Sequence, residues 1–70
     1  SKKSIAISVS GLHCVSCGLS IDSALEELPE VHSSSTNYAK GVTTVTGSPV
    51  MNQEEILQTV ESLGYQARIK

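Results

Sequence analysis

Apolar and polar positions alternate along residues 4–10, with Ile5, Ile7 and Val9 on one face and Ala6, Ser8 and Ser10 on the other. A period of two marks a strand with one buried face, so this segment predicts β structure. Gly11 interrupts the alternation, and from Cys17 the period lengthens. Ile21, Ala24, Leu25 and Leu28 recur at helical spacing, while Asp22, Glu26 and Glu27 fall mostly on the other side. Pro29 ends that helix, because it lacks an N–H and clashes with the preceding turn.

The second half repeats the alternation of strand and helix. Ser34, Thr36 and Tyr38 share a strand face, and Ala39-Lys40-Gly41 reads as a hairpin turn into the β-branched run from Val42 to Thr46. Gly47-Ser48-Pro49 closes that strand. Asn52 followed by Glu55 resembles an N-cap with its reciprocal acid, opening a helix that turns Ile56, Val60 and Leu63 inward. Gly64 stands where a helix-terminating glycine belongs, and Tyr65, Ala67 and Ile69 alternate as a last strand. The resulting order, β-α-β-β-α-β, predicts an α+β ferredoxin-like sandwich: a four-stranded antiparallel sheet with two helices on one face.

Composition narrows the class. Seventy residues make a single domain spanning 1–70. Such a chain buries only about 60% of its unfolded surface. With 39% hydrophobic residues, two Tyr, no Phe and no Trp, the core must be aliphatic. Seventeen per cent charged residues and a net charge of −2 do not suit a disordered chain. Five Lys plus Arg against seven Asp plus Glu, without a long basic run, argue against nucleic acid as a partner. The longest apolar run is Ile5-Ala6-Ile7, so neither a membrane span nor a signal-peptide core is expected in this segment. The chain begins at Ser1, as an excised module would.

The chemistry lies in Cys14 and Cys17. A disulfide between residues so close in sequence would restrain little of the unfolded chain, so reduced thiols, metal-binding or redox-active, are the expectation. Cys17 should fall in the first helical turn with Cys14 in the loop before it, where orphan N–H groups and the helix dipole favour thiolate. Two converging thiolates make a soft, anionic, low-coordination site. Structural Zn(II) wants four ligands, whereas Cu(I), Hg(II) and Ag(I) accept two thiolates in near-linear geometry and leave room for an incoming sulfur. Val15 and Ser16 do not match the aromatic and proline setting of a thioredoxin-like redox pair. Gly18 lets the backbone stay close to the site.

Gly11-Leu12-His13-Cys14-Val15-Ser16-Cys17 resembles the G-M-x-C-x-x-C signature of the heavy-metal-associated domain. The resemblance runs on through the Val31 strand, the Thr43–Gly47 segment, the capped second helix and Leu63-Gly64-Tyr65. It implies one Cu(I) held by Cys14 and Cys17 and exchanged with a copper chaperone or another metal-binding domain by transient docking. The parent it implies is a copper-transporting P-type ATPase in the plasma or inner membrane. The module would then be non-catalytic, on the cytoplasmic face, and without membrane contact of its own. A free-standing copper chaperone, or the Hg(II)-binding N-terminal module of a mercuric reductase, are the alternatives. Leu12 replaces the family's Met as a buried apolar anchor, and the resemblance places Tyr65 beside the metal, shielding the thiolates from water.

The remaining donors read more plainly. His13 is a solvated loop residue beside the site, His32 a surface strand residue at the far end, and Met51 a packing residue. Asp22, Glu26, Glu27 and Glu30 form a solvated helix face that would suit docking of a basic partner.

Overall fold

The computed structural model describes residues 2–12 and 15–70, and of Val15 the backbone alone. The elements are β1 (Lys3–Ser10), α1 (Val15–Glu26), β2 (Val31–Asn37), β3 (Val42–Gly47), α2 (Gln53–Ser62) and β4 (Gln66–Ile69). The strands form one sheet in the order β2-β3-β1-β4, and every neighbouring pair is antiparallel. α1 packs on β2, α2 packs on β4, and the helices touch each other. This is the ferredoxin-like arrangement expected from the sequence.

The core is the set that the periodicities select. Ile5, Ile7 and Val9 of β1 meet Ile21 and Leu25 of α1, Val45 of β3, and Ile56 and Val60 of α2. Burying each such side chain contributes roughly 1.5–3 kcal/mol. Met51 is buried with them, as a packing residue. Asn52 caps α2: its Oδ1 accepts from the backbone N–H of Glu54 at 2.9 Å and of Glu55 at 3.2 Å. Gly64 follows the helix at φ +99, and its N–H donates to the Glu61 carbonyl at 2.9 Å. A side chain would be strained in that left-handed conformation.

Two expectations need correction. Leu63 does not face the core: it is the C-cap of α2 and is 42% exposed. Asp22 and Glu26 are not simply solvated, because both turn toward β2. The Asp22 carboxylate accepts from Ser34 Oγ at 2.8 Å, Thr36 Oγ1 at 2.7 Å and Thr36 N at 3.3 Å, and Glu26 Oε2 accepts from Ser34 N at 3.2 Å. The helix thereby satisfies the outward N–H groups of an edge strand, which otherwise invite pairing with another chain. Glycine at 18 also has a role in packing. A Cβ there would lie 3.1 Å from Thr36 Cγ2, so its absence lets α1 approach β2.

β2 carries a bulge between Val31 and Ser33. The extra residue resets the alternation, so that buried Val31 and half-buried Ser34 and Thr36 all face the helices. Charge is layered as well. The seven acids lie on α1, on α2 and in the turn between α1 and β2, while the five cations lie on β1 and β4, at their ends and in the hairpin.

At the end of the sheet where β1 begins, Gly47 is enclosed. A Cβ on it would collide with the Glu30 carbonyl and stand 2.9 Å from Met51 Sδ and 3.0 Å from Val31 Cα. The Glu30 carbonyl is already engaged there, accepting from Ser48 N at 2.8 Å. Two of the three neighbours are backbone and cannot swing aside. Gly47→Ala is therefore expected to destabilise the fold by about 3 kcal/mol, lowering Tm by roughly 10–20 °C. Thermal unfolding followed by circular dichroism measures this, and an unchanged Tm would show that the chain between α1 and β2 yields.

Candidate metal centre

α1 opens at Val15, which puts the half-buried Cys17 in its first turn, as expected. The first N–H groups of a helix have no partner within it and carry the positive end of its dipole, so an anionic sulfur is favoured at this position. Cys14 and His13, the other residues predicted for this loop, lie outside the described residues.

The remaining surroundings follow from strand register. β1 and β4 pair from Ile7 with Ile69 to Ser10 with Gln66, so Gly11 and Tyr65 emerge side by side just beyond the last pair. Gly11 has φ +96, a conformation that turns the chain sharply out of the strand. A Cβ on Gly11 would be 3.6 Å from Tyr65 Cδ1, so the ring lies against the start of the cysteine loop. Tyr65 and Leu12 are both partly buried and packed against the core. The sequence places Leu12 directly before the loop, and the fold brings Tyr65 to it from the other end of the chain.

The other candidate donors are elsewhere. Val31 pairs with Gly47, and Gly47 with Lys3, so exposed His32 stands at the far end of the sheet from Ser10. Met51 is at that same far end, beside Gly47. Among the described residues, no three or more His, Cys, Asp or Glu side chains converge as a metal cluster. Nor, among them, is any helix long and apolar enough to cross a membrane.

Sequence reasoning did not single out Thr36 as part of this end of the molecule. It touches α1 on successive turns, its methyl beside Gly18 and its hydroxyl on Asp22. The available signal was a glycine and an acid four residues apart on one helix, paired with hydroxyl residues on a strand.

The fold and this end of the sheet define a small ferredoxin-like module with Cys17 in the first turn of its first helix and the Tyr65 ring against Gly11. The chain belongs to the heavy-metal-associated domain family, whose model matches residues 6–66. It is 33% identical over 64 residues to Copper-transporting ATPase 2 of Homo sapiens, a match covering 90% of this chain and 4% of that protein. It is 32% identical over 63 residues to mercuric reductase of Serratia marcescens, covering 90% of this chain and 14% of that one. In three dimensions it is similar to a copper binding domain from HMA7, a P-type ATPase. That likeness has a TM-score of 0.90 at 26% identity, over 96% of this chain and 92% of the other. The chain thus spans a small fraction of the length of either sequence relative and nearly the whole of the isolated domain.

Proposed function

We propose that the chain binds one Cu(I) ion as cargo through the thiolates of Cys14 and Cys17 and passes it to a partner. The observation that carries this reading is the position of Cys17 in the first turn of α1, with Cys14 three residues earlier in the chain. A soft monovalent ion needs no more than two such ligands, whereas Zn(II) would remain short of four. Family membership and the likeness to a copper binding domain support copper as the cargo. Transfer then proceeds by ligand exchange. An incoming thiolate adds to the two-coordinate ion, one of the chain's own sulfurs leaves, and a second exchange completes delivery with no change in oxidation state.

The parent in this reading is a copper-transporting P-type ATPase, with the module on its cytoplasmic side and a copper chaperone or a second metal-binding domain as partner. Exposed Glu27, Glu30, Glu54, Glu55 and Glu61 give the helical layer a negative surface suited to a basic partner. A second reading, Hg(II) delivery within a mercuric reductase, is favoured by the Serratia relative. The sequence following Lys70 in the parent gene separates them: membrane spans support the transporter, and a Gly-rich dinucleotide-binding motif supports the reductase.

Replacing both cysteines by Ser is expected to abolish tight Cu(I) binding while the fold persists, because the core lies elsewhere. Competition against a chromophoric Cu(I) chelator measures it, and equal affinity in the double variant would overturn the assignment.

Tyr65 acts in this reading by covering the thiolates, not by ligating. Tyr65→Phe keeps the ring and should leave Cu(I) affinity nearly unchanged in the same assay. A loss as large as that of Cys14→Ser would make the phenol a ligand.

Selectivity provides a further check. Wild type should hold Cu(I) far more tightly than Zn(II), and His13→Asp should raise Zn(II) affinity by adding a hard oxygen donor. Parallel titrations with both ions decide this, and Zn(II) matching Cu(I) in the wild type would refute copper.

A further inference from the structure

We propose that Asp22 is a positioning residue for the metal-binding turn, acting through Thr36. This rests on the reading that Cys17 ligates Cu(I). α1 lies over β2, an edge strand whose inward positions beyond the bulge are Ser34 and Thr36, not the large apolar side chains that usually seat a helix. Apolar contact is non-directional and leaves a helix able to slide or rotate. Here the contact is made by directed bonds instead.

One carboxylate oxygen of Asp22 accepts from both hydroxyls, Ser34 Oγ at 2.8 Å and Thr36 Oγ1 at 2.7 Å, and the other accepts from Thr36 N at 3.3 Å. Because the Thr36 hydroxyl gives its proton to Asp22, the fully buried Thr43 must donate to Thr36 across their 2.9 Å contact. The relay Thr43 to Thr36 to Asp22 therefore has one consistent direction, and it ties α1 to the second strand of the sheet as well as to the first. One turn before Asp22, Gly18 brings its backbone against Thr36, where a Cβ would stand 3.1 Å from Cγ2 and 3.2 Å from Cβ. Thr36 thus holds α1 at positions 18 and 22, and position 18 adjoins Cys17. Loss of the carboxylate releases the lower hold, and the first turn of the helix shifts with it.

The test uses Asp22→Ala, with Thr36→Ser as the conservative variant that keeps the hydroxyl. Val60→Ala, at a fully buried position of α2 away from this contact, serves as a stability control. All are compared by Tm, by Cu(I) competition well below Tm, and by the amide resonances of Cys17 and Gly18 in the metal-free chain. Asp22→Ala is expected to lower Cu(I) affinity about tenfold, the scale of lost outer-sphere support, and to move both amides. Thr36→Ser, which keeps the hydroxyl on Asp22 but loses the methyl beside Gly18, should lose less affinity than Asp22→Ala, and Val60→Ala should lose Tm without losing affinity. Wild-type affinity in Asp22→Ala, unmoved amides, or an equal affinity loss in Val60→Ala would each overturn the positioning role. Failure of the wild-type chain itself to compete for Cu(I) would refute the copper reading, and the amide shifts would still report whether Asp22 anchors the turn.

Discussion

α1 is seated on the sheet by a carboxylate that reaches across to two hydroxyls and a backbone N–H of β2, and the geometry at the cysteine end depends on that seat. Ile21 and Leu25 bury the helix, but a buried aliphatic stripe sets only which face turns inward. The height of the helix along its axis, and hence the level at which its first turn meets the end of β1, needs contacts with direction. Asp22, Thr36 and Thr43 supply them in a partly buried setting, where hydrogen bonds to a charged acceptor are stronger than neutral ones. Among the described residues no buried side-chain nitrogen or oxygen is left without a partner, so this polar seam between the layers leaves no unpaired group behind.

The same bonds solve a second problem. β2 lies at one edge of the sheet, and a strand rich in Ser and Thr has little apolar surface to hold its register. Pairing with β3 on one side and carboxylates from α1 on the other enclose its backbone between two sets of acceptors. A strand that looks weak in composition is thereby tied into the fold, and its edge is closed to strand addition.

The two ends of the sheet do different work. Where β1 begins, Gly47, the Glu30 carbonyl and Met51 are packed so closely that a methyl group has no room. Where β1 ends, Gly11 turns outward, Tyr65 lies against it, and Cys17 stands in the first turn of α1. In the proposed function the second end exchanges its cargo while the first stays fully engaged. In so small a domain, the loss of a few contacts is a large share of the total stability.

Much of this was legible in the chain alone. The period-two run of Ile5, Ile7 and Val9, the helical spacing of Ile21 and Leu25, the Asn52 cap and the Gly64 terminator each act over a few residues, so local chemistry suffices to read them. Their order then left few topologies, and the spacing of Cys14 and Cys17 suggested the chemistry on which the proposed function rests. Tertiary structure decided what depends on long-range register. Antiparallel pairing of β1 with β4 brought Tyr65 to Gly11. The bulge after Val31 turned Ser34 and Thr36 toward α1 and so drew Asp22 into part-buried hydrogen bonds and the exposed Glu26 onto Ser34 N. Leu63 continued the apolar stripe of α2 but fell at the cap, beyond the last turn that the sheet can cover. Periodicity assigns a residue to a face of its own element. Which neighbour meets that face is settled only when elements distant in sequence pack together.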